Sequence, residues 1–476
     1  MRVYNNEEAV MLPADAVLRK VDSSFEESVG RLCELLRIPS VSTDPAYAGD
    51  VRRAAQWCAD RLAAMGFTVT IHETPGHPIL VAHNPGPAGV ETPHVLYYGH
   101  YDVQPADPVE LWNSPPFEPA IVEAERGRRV VARGAADDKG QTMTFMEAFE
   151  AWHAVHGSIP IRATVLLEGE EETGSPSLPR FLKEHAEELR ADFCLVTDTN
   201  AWDVDTPAIT TRLRGLLYLE ATVTGPSHDL HSGLFGGAVP NPINVLTGIL
   251  GQIHDADGRV RFDGFYDGVR ELPDDLLAQI RGLPLDEAQF LGALGLTRSH
   301  GEAGRTLLER IWTRPTCDIN GIWGGYTGEG SKTVIPAKAS CKLSCRLVPG
   351  QDPAAIEASV ERFFEERLPA DCTVSFRRFS SSPGIEVPTD TPWMQAVRGG
   401  LKDATERDGV LIGGGGSIPI VGWFREHLGL DTILVGFGLD DDRIHSPNEK
   451  FELKCLRNGI RSHAAILGRL AAGQVG

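Results

Sequence analysis

Short apolar runs in this sequence end, one after another, in side chains that can bind a metal ion. HVLYYG leads into His100 and Asp102, IRATVLLEG leads into residues 170–172, DFCLVT leads to Asp198, and TILVGFG is followed by an acidic loop and His445. Such runs predict strands buried on both faces, which are typical of parallel sheets. The carboxyl ends of parallel strands lie at one edge of a sheet, where ligands bind. The sequence therefore predicts an α/β fold with one polar site.

The middle of the chain has a different pattern. Residues 215–224 and 332–348 alternate apolar and polar side chains, as in strands that have one face in solvent. We therefore predict two domains. Residues 1–212 and 386–476 form a catalytic domain with a mostly parallel sheet sandwiched by helices. Residues 213–385 form a smaller α+β domain that interrupts it.

Helical patterns separate the strand-like runs. Apolar residues that recur every three or four positions predict helices with one buried side. These patterns cover residues 23–37, 51–65, 140–155, 177–190, 241–254, 353–367 and 449–472, and much of 268–312. Strands that alternate with helices are the pattern expected for a sheet covered on both faces.

The charge of the chain limits its partners. Lys and Arg number 45 against 66 Asp and Glu, so the formal net charge is −21. Nucleic acids and anionic membranes need a positive field, so neither is expected as a partner, whereas a small-molecule substrate is allowed. The first twenty residues carry charges and a proline where a signal peptide would be apolar. Eight scattered cysteines without C-x-x-C spacing predict buried thiols in a cytoplasmic protein.

Three local motifs carry possible chemistry. In H-x-D, Asp102 can accept the second ring N–H of His100 and leave the other nitrogen for a metal. The segment EGEEET at 168–173 gathers four carboxylates, which repel one another unless cations neutralise them. The alternative is an acidic, solvated turn. Asp137 and Asp138 lie in a glycine-bounded turn, where a carboxylate could bridge two cations or could simply begin a helix.

The chemistry that fits these motifs is two-metal hydrolysis. Two divalent cations about 3.5–4 Å apart share a carboxylate and a water, whose pKa falls towards neutrality. A neighbouring carboxylate can then act as general base on an amide substrate. Histidine and carboxylate ligands suit zinc, with manganese or cobalt as alternatives.

Several motifs together resemble a known family of enzymes. They are YYGHYDVQP (97–105), ARGAADDKG (132–140), EGEEETGS (168–175), TD (197–198), DLHSGLFGG (229–237), KTVIP (332–336), CRLVP (345–349), GGSIP (415–419) and HSPNEKF (445–451). In order and spacing they resemble the di-zinc metallopeptidase family of carnosine dipeptidases, aminoacylases, carboxypeptidase G and succinyl-diaminopimelate desuccinylase. The carnosine-dipeptidase branch is the most similar.

The resemblance implies a ligand set for two metal ions. Asp137 matches the bridging ligand. The remaining ligands divide between the ions, with His100 and Asp198 on one and Glu172 and His445 on the other. The resemblance also implies a cis peptide bond between Asp137 and Asp138.

Further roles follow from the same resemblance. Glu171 matches the general base, and Asp102 matches the residue that orients His100. In the inserted domain, His231 resembles a histidine that reaches the partner subunit's site and stabilises the oxyanion. The resemblance therefore implies a homodimer formed through this lid domain. Substrate-binding positions are matched by Arg346, which would pair with a carboxylate, and by Thr333, Ser417 and Asp198.

One segment departs from the family pattern. The carnosine-dipeptidase branch has Arg-Glu-Gly-Gly-Ser-Ile-Pro where this chain has four glycines, Gly413–Gly416, before Ser417. The missing acidic residue could have held a free substrate amine. The leading hypothesis is therefore a zinc-dependent dipeptidase, and an N-acyl- or N-carbamoyl-amino-acid amidohydrolase is the alternative. A catalytically inactive binding homologue is a third possibility.

Overall fold

The computed structural model describes residues 14–416 and 418–473. They form two compact units. The first unit contains the residues up to Thr211, Val387–Ile412 and the residues from Trp423 onward. The second contains Arg212–Glu386 together with Gly413–Gly422. The role predicted for the insert, as a lid and dimerisation domain, stays a prediction.

The described chain is built from alternating strands and helices. The strands are β1 (Thr68–His72), β2 (Ile79–Asn84), β3 (His94–His100), β4 (Ala120–Ala124), β5 (Gly127–Val131), β6 (Arg162–Glu168), β7 (Phe193–Val196), β8 (Ala208–Leu213), β9 (Gly215–Thr224), β10 (Leu230–His231), β11 (Thr316–Gly324), β12 (Val334–Ile335), β13 (Lys338–Leu347), β14 (Thr373–Ser382), β15 (Ile385–Glu386), β16 (Val410–Gly414), β17 (Thr432–Leu434) and β18 (Lys450–Glu452). The helices are α1 (Ala14–Ser23), α2 (Phe25–Leu36), α3 (Ala48–Ala64), α4 (Lys139–His156), α5 (Leu178–Glu184), α6 (Ser232–Phe235), α7 (Pro242–Leu250), α8 (Asp274–Gly282), α9 (Glu287–Ala293), α10 (Leu307–Trp312), α11 (Pro353–Glu365), α12 (Pro392–Thr405), α13 (Pro419–Trp423) and α14 (Leu453–Ala471).

The first unit has a sheet in the order β1-β2-β6-β3-β7-β17-β8, with β16 also paired to β8. Its four central strands, β6, β3, β7 and β17, are parallel, and β1, β2 and β8 join the sheet antiparallel. The central strands are buried along almost their whole length, as their continuous apolar sequences predict. The predicted α/β fold with a mostly parallel central sheet is confirmed.

The strand order places the predicted site residues at one edge of this sheet. β3 ends at His100, β6 ends at Glu168 just before residues 170–172, and β7 is followed by Asp198. Because β6, β3 and β7 are parallel neighbours, their carboxyl ends lie side by side. The convergence expected from the sequence is therefore present for these three strands.

A second, smaller sheet leads into the turn that carries Asp137. It contains β18, β5 and β4 in antiparallel order, separate from the main sheet. The turn after β5 carries Asp137 and leads into α4. The segment 449–472 was predicted to be wholly helical, and this is wrong for Lys450–Glu452, which pairs with β5 as a strand before α14 begins. Cross-strand pairing overrides the local helical pattern there.

The second unit is built on an antiparallel sheet in the order β11-β13-β9-β14. Its residues alternate between buried and half-buried along β9, as the sequence pattern predicts. The inward side chains, with apolar residues of α7 and α11, form one core. The predicted strand at 332–348 is divided into β12 and β13, since Pro336 follows β12 and has no N–H for a ladder.

Two further observations concern the cysteines and the length of the apolar helices. All eight cysteines are buried and free, as expected for apolar thiols. Within residues 14–416 and 418–473, no helix is both long and apolar enough to cross a lipid bilayer.

Candidate metal centre

His100 and Asp137 lie together at the edge of the main sheet. The imidazole of His100 is fully buried, and its Nε2 lies 3.2 Å from Oδ1 of Asp137 and 4.0 Å from Oδ2 of Asp198. This Nε2 makes no hydrogen bond within the described chain. A buried ring nitrogen that faces two carboxylates without a hydrogen bond is placed as a metal ligand would be.

Asp137 also faces a second group of side chains. Its other oxygen, Oδ2, lies 2.9 Å from Nε2 of His445, which in turn lies 3.1 Å from Oε2 of Glu172. Each set of three residues offers ligand atoms that lie within 4.8 Å of one another. Asp137 therefore belongs to both sets and uses one oxygen for each. We call the five residues the candidate metal centre: His100, Asp137, Glu172, Asp198 and His445.

The electrostatics of the centre fit a bound cation. Burial and the nearby Asp137 raise the pKa of Asp198 to about 7. Burial also opposes protonation of His100, but Asp102 and Asp137 raise its pKa well above the usual range. The carboxylates of Asp137 and Glu172, which accept hydrogen bonds from its ring, raise the pKa of His445 to about 10. Carboxylates this close repel one another, and divalent cations would remove that repulsion. The mixed imidazole and carboxylate donors suit zinc-like ions.

Asp102 orients His100 and the glutamate turn at the same time. Its Oδ1 lies 3.3 Å from Nδ1 of His100, and its Oδ2 accepts a hydrogen bond of 2.6 Å from the hydroxyl of Ser42. The same carboxylate accepts the backbone N–H groups of Glu171 and Glu172, at 3.3 and 3.1 Å. Asp102 is fully buried. Its predicted position beside His100 is thus observed, and the sequence did not indicate Ser42.

Glu171 lies next to the candidate metal centre without belonging to either set of ligands found among the described residues. It begins a one-turn 3₁₀ helix, Glu171–Thr173, and its Oε2 lies 4.0 Å from Nε2 of His100. Burial, opposed by His100 and reinforced by Asp198, raises the pKa of Glu171 to about 9. Cations bound beside it would lower this pKa again. Glu171 is therefore placed to exchange protons with a molecule at the centre.

Asp138 positions the backbone of His100 and does not cap the helix that follows it. It is the residue before α4, but its side chain does not cap that helix. Its Oδ2 accepts the backbone N–H of His100 at 3.0 Å and the hydroxyl of Thr142 at 2.9 Å. A Cβ at Gly99 would lie 2.2 Å from the Thr142 hydroxyl, so only glycine fits there. The peptide bond between Asp137 and Asp138 is cis, as the resemblance implied.

Glu449 holds the turn that carries Asp137, and sequence reasoning missed it. Its carboxylate accepts the backbone N–H groups of Gly134, Ala136 and Asp137 at 2.9–3.1 Å. It also pairs with Arg133 at 2.7 Å, and both side chains are buried. Glu449 lies in HSPNEKF, four residues after His445, so the motif itself carried the signal.

Replacing Arg133 with alanine is expected to lower the free energy of unfolding by about 3–5 kcal/mol, because the buried Glu449 carboxylate loses its cation. Urea unfolding at neutral pH measures this change. The matched control is Arg180→Ala, which breaks the exposed pair with Glu184 and should cost less than about 1 kcal/mol. If both variants lose the same small amount of unfolding free energy, the structural role of the buried pair is contradicted.

The sequence profile of peptidase family M20/M25/M40 matches residues 96–469. The chain belongs to this family. The predicted family and the predicted metal-dependent peptidase are thereby confirmed, and membership implies that the chain binds divalent metal.

Similar proteins cover almost the whole chain. The Cys-Gly metallodipeptidase dug1 of Schizosaccharomyces pombe is 32% identical over 96% of this chain and 98% of that protein. The human Beta-Ala-His dipeptidase is 29% identical over 96% of this chain and 94% of that protein. The solved structure of the dipeptidase Dug1p from Saccharomyces cerevisiae has a TM-score of 0.81 and 28% identity, covering 96% of this chain and 98% of that chain.

Three further residues that were predicted from the M20 resemblance lie in the second unit. His231 ends β10 and is exposed, Thr333 lies just before β12, and Arg346 is half-buried in β13. Ser417 lies outside the described residues. Arg214, which sequence reasoning missed, lies near enough to Arg346 for the two like charges to interact. Burial, and then Arg346, lower the pKa of Arg214 to about 10.

Proposed function

We propose that this M20 peptidase hydrolyses dipeptides with two divalent ions, most simply zinc, bound at the candidate metal centre. The observation that carries the proposal is the position of Asp137. One of its oxygens faces His100 and the other faces His445, which is the geometry of a carboxylate shared by two ions. Manganese or cobalt would suit the same ligands. The dipeptidase names of the relatives support the choice of substrate class.

The residues around the candidate metal centre have different proposed roles in hydrolysis. Bound divalent ions would polarise the scissile carbonyl and make the attacking water more acidic. Glu171 accepts the proton of that water and passes it to the leaving amine, as a general base and then a general acid. Asp102 and Asp138 keep His100 in place through its ring and its backbone N–H. The chain thus supplies proton transfer and a rigid ligand set.

Two features of the second unit support proposed contacts with substrate. Nδ1 of His231 accepts the backbone N–H of Gly233 at 3.0 Å, so the neutral ring carries its proton on Nε2 and can donate to an oxyanion. Arg346 and Arg214 interact electrostatically with Asp318 but form no salt bridge with a carboxylate of the described chain, and such guanidinium groups suit a substrate carboxylate. Thr333 and Ser417 complete the proposed substrate contacts.

A panel of substrates tests the proposed reaction. The kcat/KM of the metal-loaded chain is measured on free dipeptides, on the same dipeptides N-acetylated, and on N-carbamoyl amino acids. We expect free dipeptides to be preferred, and chelation to stop turnover of all of them. No turnover of any substrate with full metal loading would favour an inactive binding homologue instead.

An amidohydrolase acting on N-acyl or N-carbamoyl amino acids is the second candidate. The glycine run supports it, because residues 413–416 offer no carboxylate to a free substrate amine. A Cβ at Gly413 would lie 2.6 Å from Cβ of Trp312, so packing fixes at least this glycine. A preference for the N-acylated substrates in the same panel would select this function.

We also propose that the chain forms a homodimer through β11 of the second unit. β11 is an edge strand of its sheet, and Ile319, Ile322 and Trp323 on it are exposed apolar side chains. Exposed apolar edge strands are typical sites of pairing between chains. Trp323→Asp should shift the chain from dimer to monomer in sedimentation velocity, whereas Leu111→Asp, at an exposed site of the first unit, should not. A wild-type monomer at micromolar concentration would contradict the proposal.

A cytoplasmic location is proposed as well. All eight cysteines are buried as free thiols, although Cys317 and Cys345 lie opposite each other on paired strands. Free thiols are typical of reducing compartments, where disulfides are rare. Fractionation of the producing cells, with a cytoplasmic marker enzyme as reference, tests this location.

A further inference from the structure

A second cluster of potential metal ligands lies in the first unit and shares no residue with the candidate metal centre. His72 is the last residue of β1, and His83 lies in β2. His185 and Glu188 follow the end of α5. We call these four residues the His72 cluster. The proposed peptidase chemistry uses none of them.

The ligand atoms of the His72 cluster converge on one carboxylate. Nε2 of His72 lies 3.4 Å from Oε1 of Glu188, and Nε2 of His83 lies 3.5 Å from the same oxygen. Nδ1 of His185 lies 2.6 Å from Oε2 of Glu188. Two atoms bound tetrahedrally to zinc at about 2.0–2.1 Å are separated by about 3.3 Å. His72, His185 and Glu188 have ligand atoms within 4.8 Å of one another. The spacing therefore allows a single ion to be bound with small adjustments.

Neighbouring side chains hold the imidazole rings in this arrangement. Phe181 stacks on His185, with ring centroids 4.1 Å apart, and packs edge-on against His72 at 5.1 Å. Nδ1 of His83 is hydrogen-bonded to the hydroxyl of Thr164 at 2.9 Å, which leaves its Nε2 directed towards Glu188. Metal-binding histidines are commonly oriented by such a bond from the second nitrogen. The rings are therefore ordered before any ion binds.

One buried nitrogen of the His72 cluster contacts the Glu188 carboxylate at 3.4 Å without forming a hydrogen bond. Nε2 of His72 is buried and makes no hydrogen bond within the described chain. A buried polar atom without a partner costs free energy, which a bound cation would recover. Burial raises the pKa of Glu188, but the hydrogen bond with His185 and the charges of His72 and His185 together lower it below its usual value, so the carboxylate is charged at neutral pH. The side chains remain 19–36% exposed, which leaves a path for an ion from solvent.

We propose that His72, His185 and Glu188, with His83 as the fourth ligand, bind a divalent ion of the zinc, nickel or copper class. Three imidazoles and one carboxylate suit these ions better than magnesium or calcium, which prefer oxygen ligands. The site joins β1, the edge strand of the main sheet, and β2 to the segment after α5. Its role is structural, since a bound ion would fasten these three segments to one another.

Zinc titration of the full chain tests the proposal independently of activity. The chain carrying Asp137→Ala serves as background, because that change is expected to empty the candidate metal centre. Zinc is titrated against a chromophoric chelator, and the melting temperature is followed with and without zinc. We expect one tightly bound equivalent in this background and a rise in Tm of several degrees. Adding His72→Ala and His185→Ala should abolish both the tightly bound zinc equivalent and the rise in Tm.

Two further variants make the result decisive. Glu188→Gln, which keeps the size of the side chain, should weaken zinc binding at least tenfold and is used if the alanine variants lose their far-UV circular dichroism. His254→Ala, at an exposed histidine of the second unit, should change neither zinc binding nor the melting temperature. If the chain with Glu188→Gln binds as many equivalents as its parent, with equal affinity, the cluster is only a network of ion pairs and hydrogen bonds, and the proposal is overturned.

Discussion

Replacing Glu171 with glutamine is expected to lower kcat/KM for peptide hydrolysis by about 10²–10⁴-fold while both metal ions stay bound. The amide keeps the shape of the side chain but cannot accept a proton, and general base catalysis contributes about this factor. Glu171 lies 4.0 Å from His100 yet outside both ligand sets found among the described residues, so metal affinity should change little. Initial rates and metal content of the same preparation measure the two effects.

The control for this variant is Glu184→Gln on α5. Glu184 is exposed and pairs only with Arg180 among the ion pairs of the described chain, so its loss should leave kcat/KM unchanged. Turnover by the Glu171→Gln variant within tenfold of the wild type would show that another group is the base. Loss of metal from that variant would instead show that Glu171 is a ligand.

Replacing Asp137 with alanine is expected to remove both ions of the candidate metal centre, leaving only an ion at the His72 cluster, and to lower turnover more than about a thousandfold. Asp137 is the residue shared by the two ligand sets, so its loss weakens both at once. The electrostatic stabilisation that metal ions supply is worth several kcal/mol, and each 1.36 kcal/mol is a factor of ten in rate. Metal analysis after dialysis, together with initial rates at fixed added zinc, measures both losses.

His445→Ala separates a shared ligand from a ligand of one ion. His445 belongs to only one of the two sets, so this variant should lose about one of the two metal equivalents of the candidate metal centre, while an ion at the His72 cluster stays bound. Asp257→Ala, at an exposed aspartate of the second unit, controls for the loss of a carboxylate elsewhere and should retain both. Retention of both ions by the Asp137→Ala variant would contradict a bridging carboxylate.

The sequence predicted the fold of the first unit best where its strands are buried on both faces. The apolar runs of β3, β6 and β7 are long enough to identify these strands. β3 ends at the candidate ligand His100, and β6 and β7 are followed closely by Glu172 and Asp198. Prediction was weaker where pairing with a distant segment decides the structure. The local pattern at Lys450–Glu452 predicts a helix, but this segment pairs with β5 as a strand. The helix that was predicted at 177–190 ends at Glu184.

The sequence alone determined the chemistry that is available at the candidate metal centre. The residue types of His100, Asp137 and the adjacent glutamates, and their positions after apolar runs, already indicated divalent metal and a neighbouring base. These properties are local, because they depend on side-chain chemistry and on where a strand ends.

Only the tertiary structure decided which groups support that chemistry. Glu449 reaches the turn of Asp137 from more than 300 residues away, and Ser42 reaches Asp102 from a different part of the chain. The His72 cluster likewise gathers histidines from β1, β2 and the end of α5. Such contacts form because strand order and packing bring distant segments together. Local patterns of residue types do not reveal which of these segments come into contact.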